Sequence, residues 1–107
     1  MKNILLEIES IIGKRKKATK DISYVKSLLD DRGKLLEKIS EESEELIEAA
    51  DETKEKKKKI IHETADLWFH NIVLLSAENI EVQEVLNELK DRMGVSGLVE
   101  KLSRERK

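Results

Sequence analysis

The sequence predicts an all-α protein, a helical bundle built as one domain over residues 1–107, and three observations predict it. Proline is absent and only four glycines occur in 107 residues, so little interrupts a helix, which proline in particular breaks. The composition is rich in Glu, Lys, Leu and Ile, with a single Trp, Tyr and Phe, the usage of helical bundles rather than sheets. Apolar residues recur at three- and four-residue intervals, and no stretch alternates apolar with polar as a half-buried strand does. At 38% apolar and 41% charged residues, the chain is lean for an isolated core, which points to a bundle completed by a second copy of itself.

Taken in order, Ile4, Leu5, Ile8, Ile11 and Ile12 mark a first amphipathic helix over about residues 2–16. The polar stretch Lys17 to Asp21 breaks the pattern. Ser23 is the expected N-cap of a short helix carrying Tyr24, Val25, Leu28 and Leu29. Asp30-Asp31-Arg32-Gly33 ends it, with Gly33 available for a left-handed cap. A third helix over about Lys34 to Asp51 has Leu35, Leu36, Ile39, Leu46, Ile47 and Ala50 on its apolar side.

The charge-dense stretch Glu52 to Lys59 (ETKEKKKK) reads as a connector, its lysines forming a solvated turn or helix start. A fourth helix spans about Ile60 to Ala77. From Leu67 it is apolar on nearly every face, so it should lie centrally or between subunits, with Trp68 and Phe69 expected in the core. Val82, Val85, Leu86 and Leu89 mark a fifth helix closed by Arg92-Met93-Gly94. Ser96 is the expected cap of a last short helix through Leu98, Val99 and Leu102.

Bulk properties exclude several classes. Net charge is −2 and the pI about 5.8, so no global basic field recruits nucleic acid, and the four-lysine run lacks flanking aromatics. With no cysteine there are neither disulfides nor thiolate metal sites, which fits the cytoplasm. The N-terminus does not read as a signal peptide. The longest uncharged run, Leu67 to Ala77, has eleven residues, well short of the roughly 20 a membrane span needs.

The residues that carry chemistry are two acid couples, Glu42-x-x-Glu45 and Glu63-x-x-Asp66, on successive helices. Residues three apart share a helix face. Other acids have the same spacing, for example Glu41/Glu44, Glu45/Glu48 and Glu88/Asp91, so spacing alone selects nothing. Context does: Glu42 lies three past Ile39, Glu45 precedes Leu46-Ile47, and Asp66 opens into the uncharged run. Carboxylates at an apolar border lose hydration, which is costly without compensation. Four of them on facing helices suit a hard divalent cation, and Mg²⁺ held this way is usually shared with substrate phosphates. The competing reading is a charged helix pair bridged by lysines.

A di-iron bundle needs Glu-x-x-His on two helices, and the residues three before His62 and His70 are Lys59 and Leu67. His62 is expected to face solvent. His70 reads as a core histidine satisfied by a helix carbonyl, with an alternative role as a donor that orients Asp66. Lys38, one turn before Glu42, either binds a substrate phosphate or screens the acids.

At these residues the sequence resembles the phosphoribosyl-ATP pyrophosphohydrolase family of histidine biosynthesis, within the all-α MazG-like nucleoside triphosphate pyrophosphohydrolases. The superfamily pattern E-E-x-x-E followed by E-x-x-D is matched by Glu41-Glu42-x-x-Glu45 and Glu63-x-x-Asp66. The narrower resemblance rests on Ser23-Tyr24 with Leu28-Leu29, on Lys38-Ile39, and on Ala65-Asp66-Leu67-x-x-His70 leading into Val73-Leu74-Leu75. Val85-x-x-Glu88-Leu89-x-x-Arg92 and Ser96-Gly97-Leu98-x-Glu100-Lys101 extend it. Trp68, Phe69 and Ser43 depart from the family's usual residues, and none of them removes a carboxylate.

The resemblance implies Mg²⁺-dependent hydrolysis of phosphoribosyl-ATP to phosphoribosyl-AMP and pyrophosphate by a homodimer. It assigns Glu42, Glu45, Glu63 and Asp66 to the metal. Glu41, rotated about 100° around the helix, becomes the catalytic candidate that orients water or completes a second metal site. Lys38, Arg92, Lys101 and Arg104 are the candidates for substrate phosphates. A house-cleaning enzyme for free or non-standard nucleoside triphosphates would share every acid. A non-enzymatic helical module would carry the same acids as surface decoration.

Overall fold

The computed structural model describes residues 3–17 and 24–93, and these form five helices with no strand among them. They are α1 (Ile4–Lys17), α2 (Tyr24–Leu29), α3 (Arg32–Ala50), α4 (Lys56–Ala77) and α5 (Val82–Met93). Ser23, Ser96 and the last predicted helix lie outside the described residues, as do Lys101 and Arg104. No described helix is long and apolar enough to cross a membrane.

The two longest helices, α3 and α4, pack most extensively and form an antiparallel hairpin. Its register follows from the pairs Glu52/Lys59, Glu45/Glu63 and Glu42/His70, in which one number falls as the other rises. Helix α1 lies along α4, the short α2 touches α1, α3 and α4, and α5 packs on α1. Ile12, Leu28, Leu35, Ile72, Val73 and Val82 are buried together where these helices meet. Ile39, Phe69 and Leu86 pack around them. The expectation that α4 lies centrally holds, since three other helices cover it.

Helix ends are tied by side chains that supply the hydrogen bonds a terminus lacks. Asn3 Oδ1 accepts from Leu5 N at 2.9 Å at the start of α1. Across the fold, Glu9 Oε2 accepts from Val82 N at 2.6 Å and caps α5 with a carboxylate, the charge that a helix N-terminus favours. Lys16 Nζ donates to Ser76 O and, at 2.7 Å, to Asn79 Oδ1, placing a cation at the C-terminus of α4. Arg32 and Glu78 form an ion pair between the start of α3 and the end of α4.

Four details differ from the sequence reading. Gly33 is not a left-handed cap: no described glycine has positive φ, and Gly33 lies within the first turn of α3. The boundary is set by Asp31, whose carboxylate accepts from Lys34 N at 3.1 Å. Helix α4 starts at Lys56, about one turn early, with Glu55 in the left-handed region at its N-cap, so the lysine run is a helix start rather than a turn. On α3, Leu36, Ile47 and Ala50 are exposed while Ala49 is buried. Trp68 is 56% exposed rather than in the core, lining a groove with Leu5, Val85 and Leu89. Phe69 does pack against the core.

Candidate active site

The hairpin positions the acids. Helix α3 turns Glu42 inward beside its core residues Leu35 and Ile39, and Glu42 is 7% exposed. Burying a carboxylate disfavours its charged form, and burial is the main reason that the Glu42 carboxyl is pushed above its usual range. The negative charges of Asp66 and Glu45 push in the same direction, while His70 opposes them. Glu63, on α4, is also raised, first by burial and then by the adjoining carboxyl of Glu45, with Asp66 adding to it. The structure thus places Glu45 and Asp66 within electrostatic reach of both Glu42 and Glu63 across the hairpin.

Two oxygens in this group are shut from solvent without a hydrogen-bond partner, Glu42 Oε2 and Glu63 Oε2. Glu45 stands at hydrogen-bonding distance from Glu63, but two ionised carboxylates are both acceptors and offer each other no proton. Buried polar atoms are nearly always satisfied. Oxygen donors that lack an N–H or O–H partner are the donors a hard cation takes. The residues present therefore fit a divalent cation of the Mg²⁺ kind.

Histidines contribute more than the sequence reading assigns them. His62 is exposed, as expected, yet its Nε2 lies 3.3 Å from Asp66 Oδ2. One atom each of His62, Glu63 and Asp66 falls within a 4.8 Å cluster. His70 is buried, and its Nδ1 does meet a helix carbonyl, Asp66 O, at 2.8 Å. The carboxylate it meets belongs to Glu42, at 2.7 Å, and not to Asp66. Its Nε2 lies 2.7 Å from the Tyr24 hydroxyl. The rings of Tyr24 and Phe69 stand edge-on to the imidazole, with centroids 5.7 and 5.2 Å away. Tyr24 is the site-forming residue that chemistry-bearing spacing cannot reveal, because 46 residues separate it from His70.

The remaining site predictions divide. Glu41 is exposed beside the cluster and pairs with Lys38 at 3.5 Å. Lys38 is partly buried and holds its proton more tightly than usual, chiefly through Glu41 and then Tyr24. Lys38 thus lies at the edge of the acid group. Arg92 sits on α5, where its Nε bonds Glu88 Oε1 at 3.0 Å, and among the described residues no contact joins it to the acid group on α3 and α4. The Ser43 hydroxyl is satisfied by the Ile39 carbonyl at 2.8 Å.

Fold and site together define an all-helical protein whose longest hairpin gathers carboxylates from both arms. The sequence matches the phosphoribosyl-ATP pyrophosphohydrolase family over residues 5–93, and the chain belongs to that family. It is 48% identical over 105 residues to the phosphoribosyl-ATP pyrophosphatase of Vesicomyosocius okutanii subsp. Calyptogena okutanii, covering 97% of this chain and 98% of that one. The protein of that name from Ruthia magnifica subsp. Calyptogena magnifica is 46% identical over the same shares. That from Nitrosospira multiformis is 43% identical over 104 residues, covering 96% of this chain and 84% of its own.

Proposed function

We propose that this protein hydrolyses phosphoribosyl-ATP to phosphoribosyl-AMP and pyrophosphate, the second step of histidine biosynthesis, as a Mg²⁺-dependent cytoplasmic enzyme. The observation that carries the reading is the pair of buried, donor-less oxygens of Glu42 and Glu63 within the four-carboxylate group. Membership of the family and relatives named for this activity support the substrate.

In this reading Glu42, Glu45, Glu63 and Asp66 hold the cation. When bound, it neutralises the triphosphate and the pyrophosphate that leaves. A water oxygen bonds to the α-phosphorus as the bond to the α,β-bridging oxygen breaks. Glu41, exposed beside the cluster, takes the proton that this water loses. Lys38, next to Glu41, meets the phosphates. Arg92, Lys101 and Arg104 are the further candidates for the phosphates.

A homodimer belongs to the same reading. Trp68, Val85 and Leu89 are exposed yet line one apolar groove of about 270 Å³ with Leu5, Ile72 and Leu86. This exposed apolar lining supports the homodimer, since a second copy of the chain would remove it from water.

Pyrophosphate release from phosphoribosyl-ATP, with and without Mg²⁺, tests the proposal against a panel of ordinary and non-standard nucleoside triphosphates. Preference for free nucleotides would replace this function by the house-cleaning one. Release that does not depend on the cation would remove the metal.

A further inference from the structure

We propose that His70, steadied by Tyr24, is a positioning residue that fixes the Glu42 carboxylate so that one oxygen is presented bare to the cation. The inference rests on the cation-site reading above and goes beyond it to a residue pair outside the carboxylate motif.

The geometry assigns the protons. His70 Nδ1 faces two acceptors, Glu42 Oε1 at 2.7 Å and the Asp66 carbonyl at 2.8 Å. An imidazole nitrogen between two acceptors carries its hydrogen. With the imidazole neutral, Nε2 accepts from the Tyr24 hydroxyl, 2.7 Å away. The two flanking rings restrict rotation of the imidazole. A fixed imidazole fixes the Glu42 carboxyl in turn, with Oε1 occupied and Oε2 buried without a partner. The same Nδ1 touches the backbone turn that carries Asp66, so one side chain links the acid couples of both helices. Outer residues that orient a ligand in this way commonly change metal affinity or activity about 10–100-fold when removed.

The test is Mn²⁺ binding followed by electron paramagnetic resonance, without substrate, for the wild-type protein and for Tyr24→Phe, His70→Ala and His70→Asn. We expect His70→Ala to weaken binding by about 10-fold or more. His70→Asn, whose amide nitrogen falls near the Nδ1 position, should recover part of that loss. Tyr24→Phe should weaken binding by a smaller factor while melting close to wild type, because its ring is retained and half-exposed. Should His70→Ala fail to fold, Tyr24→Phe and His70→Asn decide. Wild-type affinity in the folded variants would overturn the positioning role alone. A wild-type protein that binds no Mn²⁺ would overturn the cation site and this role together.

Discussion

Glu45 on α3 and Glu63 on α4 face one another at hydrogen-bonding distance across the hairpin. That closeness ties stability to pH. Glu63 and Glu42, which titrate near 4.5 in an unfolded chain, keep their protons to higher pH in the fold, burial being the first cause for each. A carboxyl raised in this way contributes stability that is complete below its unfolded value and is lost as pH rises through its folded value. The cation-free protein should therefore lose stability from these groups as pH climbs from about 4.5 toward neutrality. Thermal melts in chelator at pH 5.5 and 7.5 should differ less for the double variant Glu42→Gln/Glu63→Gln than for the wild type. An equal difference would mean that these two carboxyls are not linked to folding.

Mg²⁺ should raise the melting temperature, because a cation that binds only the folded state adds stability by mass action. At 100 times its dissociation constant the gain is about 2.7 kcal/mol. Glu45→Gln should lose most of this gain and lower pyrophosphate release by about 100-fold or more, the scale on which metal-assisted and electrostatic catalysis act. Scanning calorimetry with and without Mg²⁺ checks the first effect. An unchanged gain in Glu45→Gln would remove that residue from the cation site.

The start of α3 offers a test independent of function. Asp31→Ala removes the carboxylate that accepts from Lys34 N and should cost about 1 kcal/mol. Gly33→Ala should instead stabilise by about 0.5 kcal/mol, since Gly33 is helical and alanine restricts the unfolded chain. The added Cβ meets only Asp31 Oδ1, at 3.6 Å, an ordinary contact. Urea denaturation measures both, and destabilisation by Gly33→Ala would restore the left-handed cap that the sequence suggests.

Trp68 tests the proposed subunit boundary. Its exposure and its place in the apolar groove lead us to expect that Trp68→Glu shifts the protein toward monomer while leaving far-ultraviolet circular dichroism unchanged. Sedimentation velocity reads the difference. A Trp68→Glu protein that sediments as wild type would place the boundary elsewhere.

Features that depend on near neighbours along the chain are legible in the order of residues. Helical spacing placed all five described helices to within a turn, and Ile39 and Leu46 marked the border along which Glu42 and Glu45 lie. Local reading failed where the outcome depends on a residue far away. Gly33 was open to two roles until Asp31 capped the next helix, and nothing in the uncharged run distinguishes exposed Trp68 from packed Phe69. Tertiary structure alone decided which oxygens lose water. Glu42 Oε1 has a donor and Oε2 has none because α2 and α4 bring Tyr24 and His70 to one point on α3. The physical reason is range: backbone periodicity is set within a few residues, whereas desolvation depends on whatever the folded chain places nearby.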